Sequence, residues 1–297
     1  MKAYKKQGAF VALIVAVLLL VSSCGVGTST LSGGQLLQNS LKAMNQLKSF
    51  HFDMNLADSV NSGQATSSTS TGAQSITVNI TGNGDEVTPD KTQLHVSLNL
   101  AGITGSTKTQ NYSTSEIVLG NKLYVQNANG QWYVSNENVS NPFAAANVSN
   151  YTALLNLAQK ATLTDHGDQN LNGVSLHHLT LTFGKNSLKD LLNASGQLGS
   201  LGKNIDTLLN NVNLQTATLD LWIDDATSYI HHMELKLNLS MNLGSLGITP
   251  TTSTSSNFSD ALDLTVDFSK FNESITINAP ANAIPTDNPF SGSFGGA

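Results

Sequence analysis

Apolar and polar residues alternate along much of the chain, and this period of two is typical of β-strands with one buried face. The pattern starts after Ser49, where Phe50, Phe52, Met54 and Leu56 alternate with polar residues. It returns in further runs at residues 76–80, 94–100, 117–119, 123–125 and 132–134. Turn signals rich in glycine and asparagine separate these runs, at residues 82–85, 102–105, 120–121 and 129–130. Because strands joined by short turns pair antiparallel, residues 50–135 are predicted to form a meander.

Strand patterns also fill the last part of the chain. A hairpin is predicted over residues 162–183, with its turn at Asn172-Gly173. Two long strands, 218–223 and 229–242, flank a turn that begins at Asp224-Asp225. Aspartate is favoured in turns because its carboxylate binds nearby backbone amides, so these two residues are interpreted as turn residues and not as a catalytic pair. Alternation at residues 262–268, and then at 275–277, predicts the closing strands.

Three stretches instead repeat with the helical period. The first spans Gln35 to Lys48. The second spans residues 148–158 after the cap-like pair Asn141-Pro142, and the third runs from Ser187 to about Val212. Glycines at positions 196, 199 and 202 interrupt the third stretch, which predicts a break near its centre. A helix, many strands and interspersed helices in this order predict an α+β fold.

The N-terminus has the organisation of a secretory signal. Three lysines precede an apolar stretch, residues 9–21, that is too short to span a bilayer comfortably. The following Leu20-Val21-Ser22-Ser23-Cys24 resembles the bacterial lipobox, in which the cysteine is lipidated and becomes the first residue of the mature chain. An ordinary signal peptide ending at a chance cysteine is the alternative, but Cys24 is the only cysteine in the sequence. We therefore expect an exported protein, lipid-anchored through Cys24 to the outer face of the cell membrane.

These features predict a simple domain organisation. Residues 1–23 form the signal peptide, 24–34 a lipidated flexible tether, 35–285 one folded domain and 286–297 a disordered tail. With one cysteine the domain has no internal disulfide and depends on its core. The 14 basic residues are all lysines; the mature chain keeps 11 of them against 20 acidic residues, a net charge of −9. Such a chain has no basic patch for nucleic acid, and we expect a monomer.

Several local patterns resemble LppX/LprG-type lipoproteins of the LolA/LolB-like lipoprotein-carrier superfamily. They are the lipobox cysteine, the early helix running into a strand at Leu47-Lys48-Ser49-Phe50, and four later segments. These segments are the hairpin from Gly120-Asn121-Lys122-Leu123 to Gln131-Trp132-Tyr133, Leu221-Trp222-Ile223-Asp224, Tyr229-Ile230 with its long return strand, and the closing Asp267-Phe268 to Ala279-Pro280. The resemblance implies a strongly curved antiparallel sheet, an incomplete barrel, with helices across its open side. Proteins of this type carry the acyl chains of lipids or lipoproteins, or act as sensors.

If the helices enclose a cavity, their apolar faces are its candidate lining. These faces comprise Val148, Tyr151, Leu154, Leu155, Leu188, Leu191, Leu192, Ile205 and Leu208. Plain packing onto the sheet explains the same residues, so the sequence leaves both interpretations open. The function expected is the binding or carrying of lipid acyl chains, and the alternative is a non-catalytic surface lipoprotein that binds a protein partner or senses the envelope state.

Candidate catalytic and metal-binding patterns are weak. The sequence lacks a nucleophile elbow, a phosphate-binding loop and a zinc-protease motif, so neither an enzyme nor a cofactor is expected. Adjacent histidines occur at His177-His178 and His231-His232. Neighbouring side chains in a strand point to opposite faces, so neither pair chelates one ion by itself. A metal site would need a histidine from each pair and a further ligand; exposed strand histidines are favoured, and no metal site is predicted.

Overall fold

A computed structural model describes residues 31–63, 74–102, 109–135, 160–187, 210–242 and 257–290. These parts contain helix α1 (Gly33–Asn45) and twelve strands. The strands are β1 (Ser49–Gly63), β2 (Gln74–Val87), β3 (Lys91–Ala101), β4 (Gln110–Leu119), β5 (Lys122–Gln126), β6 (Trp132–Ser135), β7 (Thr162–Leu171), β8 (Val174–Thr182), β9 (Val212–Ile223), β10 (Ile230–Asn242), β11 (Asn257–Ser269) and β12 (Ile284–Pro285). No helix in the described parts is both long and apolar enough to cross a membrane.

All twelve strands belong to one sheet, in the order β12-β6-β5-β4-β3-β2-β1-β11-β10-β9-β8-β7. Strands β1 to β6 follow one another in space, which confirms the predicted meander. Strand β1 also pairs with β11 over its whole length, from His51 opposite Ser269 to Gly63 opposite Asn257. The pairs are antiparallel except for β12, which runs parallel to β6. Strands β7 and β12 lie at opposite ends of this order, so the predicted α+β fold with a strongly curved, incompletely closed antiparallel sheet is confirmed.

Helix α1 begins where the sequence supplies an N-cap. The Ser32 hydroxyl accepts a hydrogen bond from the Gln35 backbone N–H, and the Gln35 side chain accepts one from the Ser32 N–H. This capping box satisfies two amides that the first turn would otherwise leave without partners. The helix ends at Asn45, a few residues before the predicted Lys48, because Gln46 and Leu47 already lead the chain into β1.

The main core lies between α1 and one face of the sheet. We call the face on which α1 packs the inner face. The residues of the core come from the helix, from Leu47 after it and from six strands that are distant in sequence. The core comprises Leu36, Leu37, Leu41, Met44, Leu47, Phe50, Phe52, Met54, Leu94, Val96, Leu179, Leu181, Leu219, Leu221, Ile223, Ile230, Met233, Val266 and Phe268.

The prediction of a turn at residues 82–85 is wrong, because these residues lie within β2. A Cβ at Gly84 would lie 2.3 Å from the Gln93 carbonyl oxygen and 2.8 Å from Cζ of Phe52. A Cβ at Gly82 would lie 3.1 Å from Cγ of Met54. The two glycines therefore make room for large core residues of β1 and do not reverse the chain.

The prediction of a closing strand at residues 275–277 is also wrong. Ile275 and Ile277 belong to no strand, and the last strand is β12, a short one after them. Instead they pack in a second apolar cluster with Ile117 and Tyr124 of β4 and β5. Their alternation indicated burial correctly, but it does not specify whether a segment buried on a sheet also pairs with it.

Candidate functional site

The inner face continues well beyond helix α1. A helix of 13 residues is about 20 Å long, whereas the 15 residues of β1 extend over about 50 Å. Strands β2, β10 and β11 are nearly as long as β1. Helix α1 is therefore long enough to cover only one end of this face.

The rest of this face is a largely apolar surface, which we call the distal inner face. The strand registers place its residues side by side on β3, β2, β1, β11 and β10. Each of them is partly accessible. The distal inner face comprises Leu56, Val60, Ile76, Val78, Ile80, Leu98, Leu100, Leu235, Leu237, Leu262 and Leu264. Leu56, for example, lies between Ile80 and Leu264, and Leu235 lies beyond Leu264.

Two carboxyl groups interrupt this apolar surface. Asp58 lies opposite Leu262, and Asp260 lies opposite Val60, so the two aspartates are diagonal neighbours on β1 and β11. Burial, together with the hydrogen bond and the charge of Asp58, raises the pKa of Asp260 from 3.8 to about 7. The distal inner face is thus apolar with one acidic pair that retains a proton near neutral pH.

A row of aromatic and acidic side chains crosses the opposite face of the sheet. The His178 ring stacks on the Trp222 indole, with ring centroids 4.3 Å apart, and His232 meets the same indole edge-on. His178 Nε2 is 2.9 Å from Asp220, and His232 Nδ1 is 2.7 Å from Asp267. His178 and His232 are thus partners within the sheet surface, and their side chains, 12% and 16% exposed, are less accessible than the exposed strand histidines that the sequence predicts.

The opposite face also carries an open depression of about 330 Å³. Lys236, whose ammonium is 2.6 Å from Glu234, and Asp263 contribute to its lining, together with short side chains such as Ala57 and Ala261. The charged groups of this lining have no counterpart along an acyl chain, which is uncharged. The distal inner face is therefore the better candidate for an apolar ligand.

His177 differs from the exposed strand histidine that the sequence suggests. It points to the same side as Leu179, and it is only 8% exposed. Its Nε2 lies 2.8 Å from Asp165, and its Nδ1 lies 3.0 Å from Asp168 and 3.8 Å from Asp225. Asp224 holds the turn as predicted, because its carboxylate accepts the Thr227 N–H at 2.7 Å. Asp225, the second turn aspartate, faces His177.

The candidate residues named from the sequence lie outside the described parts of the chain. This applies to Cys24 and to all nine candidate cavity residues of the second and third helical stretches. The lipid anchor at Cys24 and the cavity lining therefore remain predictions. Of the third stretch the structure describes the ends, where residues 185–187 and 210–211 are helical and Val212 already begins β9.

The strand residues of the distal inner face were not predicted as a ligand-binding surface. Their alternation was interpreted only as that of strands with one buried face. The relative lengths of the elements could have revealed this surface, because the strands are long and the helix that precedes them is too short to cover them. Asp58 and Asp260 were missed because only the register of β1 with β11 makes them neighbours.

A protein-family model, DUF6612, described as a family of unknown function, matches residues 32–287. The chain belongs to this family. No curated protein sequence matches it.

Among solved structures, the chain is similar to LprF from Mycobacterium bovis, with 14% identity, a TM-score of 0.45 and coverage of 86% of this chain and 100% of LprF. It is also similar to the lipoprotein LppX of Mycobacterium tuberculosis, with 16% identity, a TM-score of 0.41 and coverage of 83% and 100%. A putative outer membrane lipoprotein-sorting protein domain from Vibrio parahaemolyticus matches with 11% identity, a TM-score of 0.22 and coverage of 81% and 92%. The similar structures thus include the LppX and lipoprotein-sorting types that the sequence resembles.

Proposed function

We propose that the protein is a non-catalytic, extracytoplasmic lipoprotein that binds acyl chains of lipids on the distal inner face. In this proposal Cys24 is the lipid-attachment site that holds the domain at the outer face of the cell membrane. The apolar faces of the second and third helical stretches, residues 148–158 and 187–212, form the opposite wall of the binding site.

The observation that carries the proposal is the largely apolar surface beyond α1, which only the Asp58–Asp260 pair interrupts among the residues of the distal inner face. Five neighbouring strands contribute aliphatic side chains to it, and these side chains remain partly accessible. Large exposed apolar areas are rare on soluble proteins unless they bind something. A surface built mainly from branched aliphatic side chains suits an acyl chain, which offers only methylene groups.

The energetics of this binding mode need no catalytic group. Each methylene that leaves water contributes about 0.8 kcal/mol, so a chain of ordinary length contributes on the order of 10 kcal/mol. Transfer of the same chain from a bilayer to the protein is nearly balanced, because both environments are apolar. Loading and release are therefore expected to be reversible.

Native mass spectrometry tests the proposal. The mature chain carrying Cys24→Ser is expressed in a bacterium and purified without detergent. We expect lipid to co-purify, and we expect Leu98→Gln with Leu100→Gln to lower its occupancy at least threefold, because both changes place amides on the distal inner face. Leu98 and Leu100 are each partly exposed, so the double variant is expected to fold.

A matched control uses the intervening residues of the same strand. Ser97→Gln with Asn99→Gln places the same amides on the opposite face of β3, and we expect lipid occupancy to stay at the level of the parent. Equal losses in both double variants would contradict binding on the distal inner face. A parent protein that carries no lipid and takes up none from vesicles would contradict the proposed function altogether.

The anchor has its own test. In full-length protein expressed in a bacterium, Cys24→Ala removes the thiol to which a lipid would be attached. We expect the protein to move from the membrane fraction to the soluble extracytoplasmic fraction while the domain keeps its fold. Retention of the variant in the membrane fraction after a high-salt wash would contradict the anchor.

A further inference from the structure

A cluster of metal-ligating atoms lies at the end of the sheet, apart from the distal inner face. Asp168 on β7 pairs across the strands with His177 on β8. Asp225 follows β9, the next strand in the sheet. One ligand atom from each of these three residues lies within 4.8 Å of the other two. Three segments of the chain thus bring one imidazole nitrogen and two carboxylates to one place.

The tautomer of His177 is set from the other side of the ring. Its Nε2 is 2.8 Å from the Asp165 carboxylate, which also accepts the Gly167 N–H at 3.0 Å and the Gly33 N–H at the start of α1. A carboxylate has no proton to give, so Nε2 donates to Asp165 in the tautomer that carries the ring proton on Nε2. In the neutral ring the remaining nitrogen, Nδ1, is then an acceptor.

Nδ1 consequently points a lone pair at two more acceptors. Its distances to the carboxylate oxygens are 3.0 Å for Asp168 and 3.8 Å for Asp225. Three acceptor atoms at this separation repel one another, and a cation between them would relieve that repulsion. A second proton on His177 or a metal ion would each have this effect. The His177 side chain is only 10% exposed and Asp168 is 37% exposed, so water screens the repulsion only in part.

The arrangement has the composition of a transition-metal site. A histidine that binds a metal through one nitrogen commonly donates its other N–H to a carboxylate, as His177 does to Asp165. One nitrogen and two carboxylate ligands suit Zn²⁺ and related divalent ions, whereas Ca²⁺ and Mg²⁺ select oxygen ligands. Ligand atoms about 2.1 Å from a tetrahedral zinc ion are roughly 3.4 Å apart. The distances from Nδ1 to the two carboxylate oxygens, 3.0 and 3.8 Å, bracket this spacing.

We propose that Asp168, His177 and Asp225 bind a divalent transition-metal ion, with Zn²⁺ as the preferred ion and water completing its coordination. The ion would join the β7–β8 hairpin to the turn after β9. Through Asp165 it would also fix the first turn of α1 to the same hairpin. The site is independent of the proposed acyl-chain binding.

Calorimetric titration of the mature chain carrying Cys24→Ser, after treatment with a chelator, tests this proposal at pH 7.5. We expect one Zn²⁺ per chain with a dissociation constant in the micromolar range or below, and an increase in melting temperature on binding. Co²⁺ at the same site should give visible absorption bands of a low-symmetry nitrogen and oxygen site. Millimolar Ca²⁺ should not displace the Zn²⁺.

Variants locate the ion. Asp168→Asn with Asp225→Asn removes both carboxylates but keeps side-chain size, and we expect the affinity for Zn²⁺ to fall at least 30-fold and the Zn²⁺-dependent gain in melting temperature to disappear. The matched control is the pair on the opposite face, His178→Gln with Asp220→Asn, for which we expect unchanged binding. Equal binding by the wild type and the Asp168/Asp225 variant would overturn the proposal. A wild type that binds no Zn²⁺ would show that His177 holds only a proton, and this result would overturn it too.

Discussion

At position 260 an aspartate lies beside Asp58 on a surface otherwise built from leucine, isoleucine and valine. Its pKa of about 7 means that the folded protein keeps this proton up to neutral pH, whereas the unfolded chain releases it near pH 4. The folded state therefore binds more protons than the unfolded state between these two values. As a result, the contribution of Asp260 to stability decreases as the pH rises from about 4 to about 7.

Asp260→Asn tests this electrostatic cost. The amide keeps the shape of the carboxyl group and does not ionise, so we expect the melting temperature at pH 8 to rise by roughly 2–4 °C over the wild type. The difference should shrink as the pH falls and vanish below about pH 4, where the wild-type carboxyl becomes protonated in both states. Glu86, whose pKa burial also raises to about 7, is present in both proteins and does not contribute to the difference. Asp90→Asn, at an exposed turn, is the control, and a gain at pH 8 that persists at pH 4 would contradict the assignment.

Individual residues also show the limit of reasoning from sequence. The turn role of Asp224 follows from its own chemistry and was predicted, because an Asx turn involves only backbone a few residues away. The partners of His177 were not, since Asp165 and Asp168 reach it only through the β7–β8 register and Asp225 only through the neighbouring β9. Side chains that become neighbours through strand pairing cannot be recognised from the residues next to them in the sequence.

Strand β2 shows how an element can contradict its local signals. Residues 82–85 have turn composition, yet they pair without interruption with β1 and β3. Gly84 lies between Phe52 and Leu94, both in the core under α1. Glycine is accommodated at position 84 because the Phe52 ring occupies the space that a Cβ would need.

Gly84→Ala tests this arrangement. The added methyl would lie 2.3 Å from the Gln93 carbonyl oxygen, so backbone as well as Phe52 has to move. Overpacking of this kind costs about 1–3 kcal/mol, and we expect a decrease of that size in the free energy of unfolding measured with urea. Gly184→Ala is the control, because its Cβ meets no atom within 4 Å. A Gly84 variant as stable as the control would show that the core tolerates the methyl group.

The whole sheet is predicted to unfold as one unit, because its central strand joins distant parts of the chain. Strand β1 pairs on one side with β2 and on the other with β11, about 200 residues later. The core under α1 takes residues from both halves of the chain. A chain that ends at Ser187 lacks β9, β10 and β11, so β1 and β8 each lose a neighbour.

We therefore expect one cooperative transition for the mature protein in urea, with circular dichroism and tryptophan fluorescence giving the same midpoint. Residues 31–187 alone should show no cooperative transition, because the core under α1 loses the leucines of β9 and Phe268 of β11. Two separate transitions in the intact protein, or a fragment that unfolds cooperatively, would indicate two independent domains.

The sequence by itself determined the elements of this protein whose signals are local. Alternation specified most of the strands, the helical period specified α1, and glycine and asparagine specified the hairpin turns at residues 120–121, 129–130 and 172–173. The tertiary structure decided the pairing of β1 with β11, the acidic pair on the distal inner face and the carboxylates around His177. The physical reason is that hydrogen bonding between strands is indifferent to side-chain identity. Register is set by which faces are buried together, and burial depends on the whole molecule.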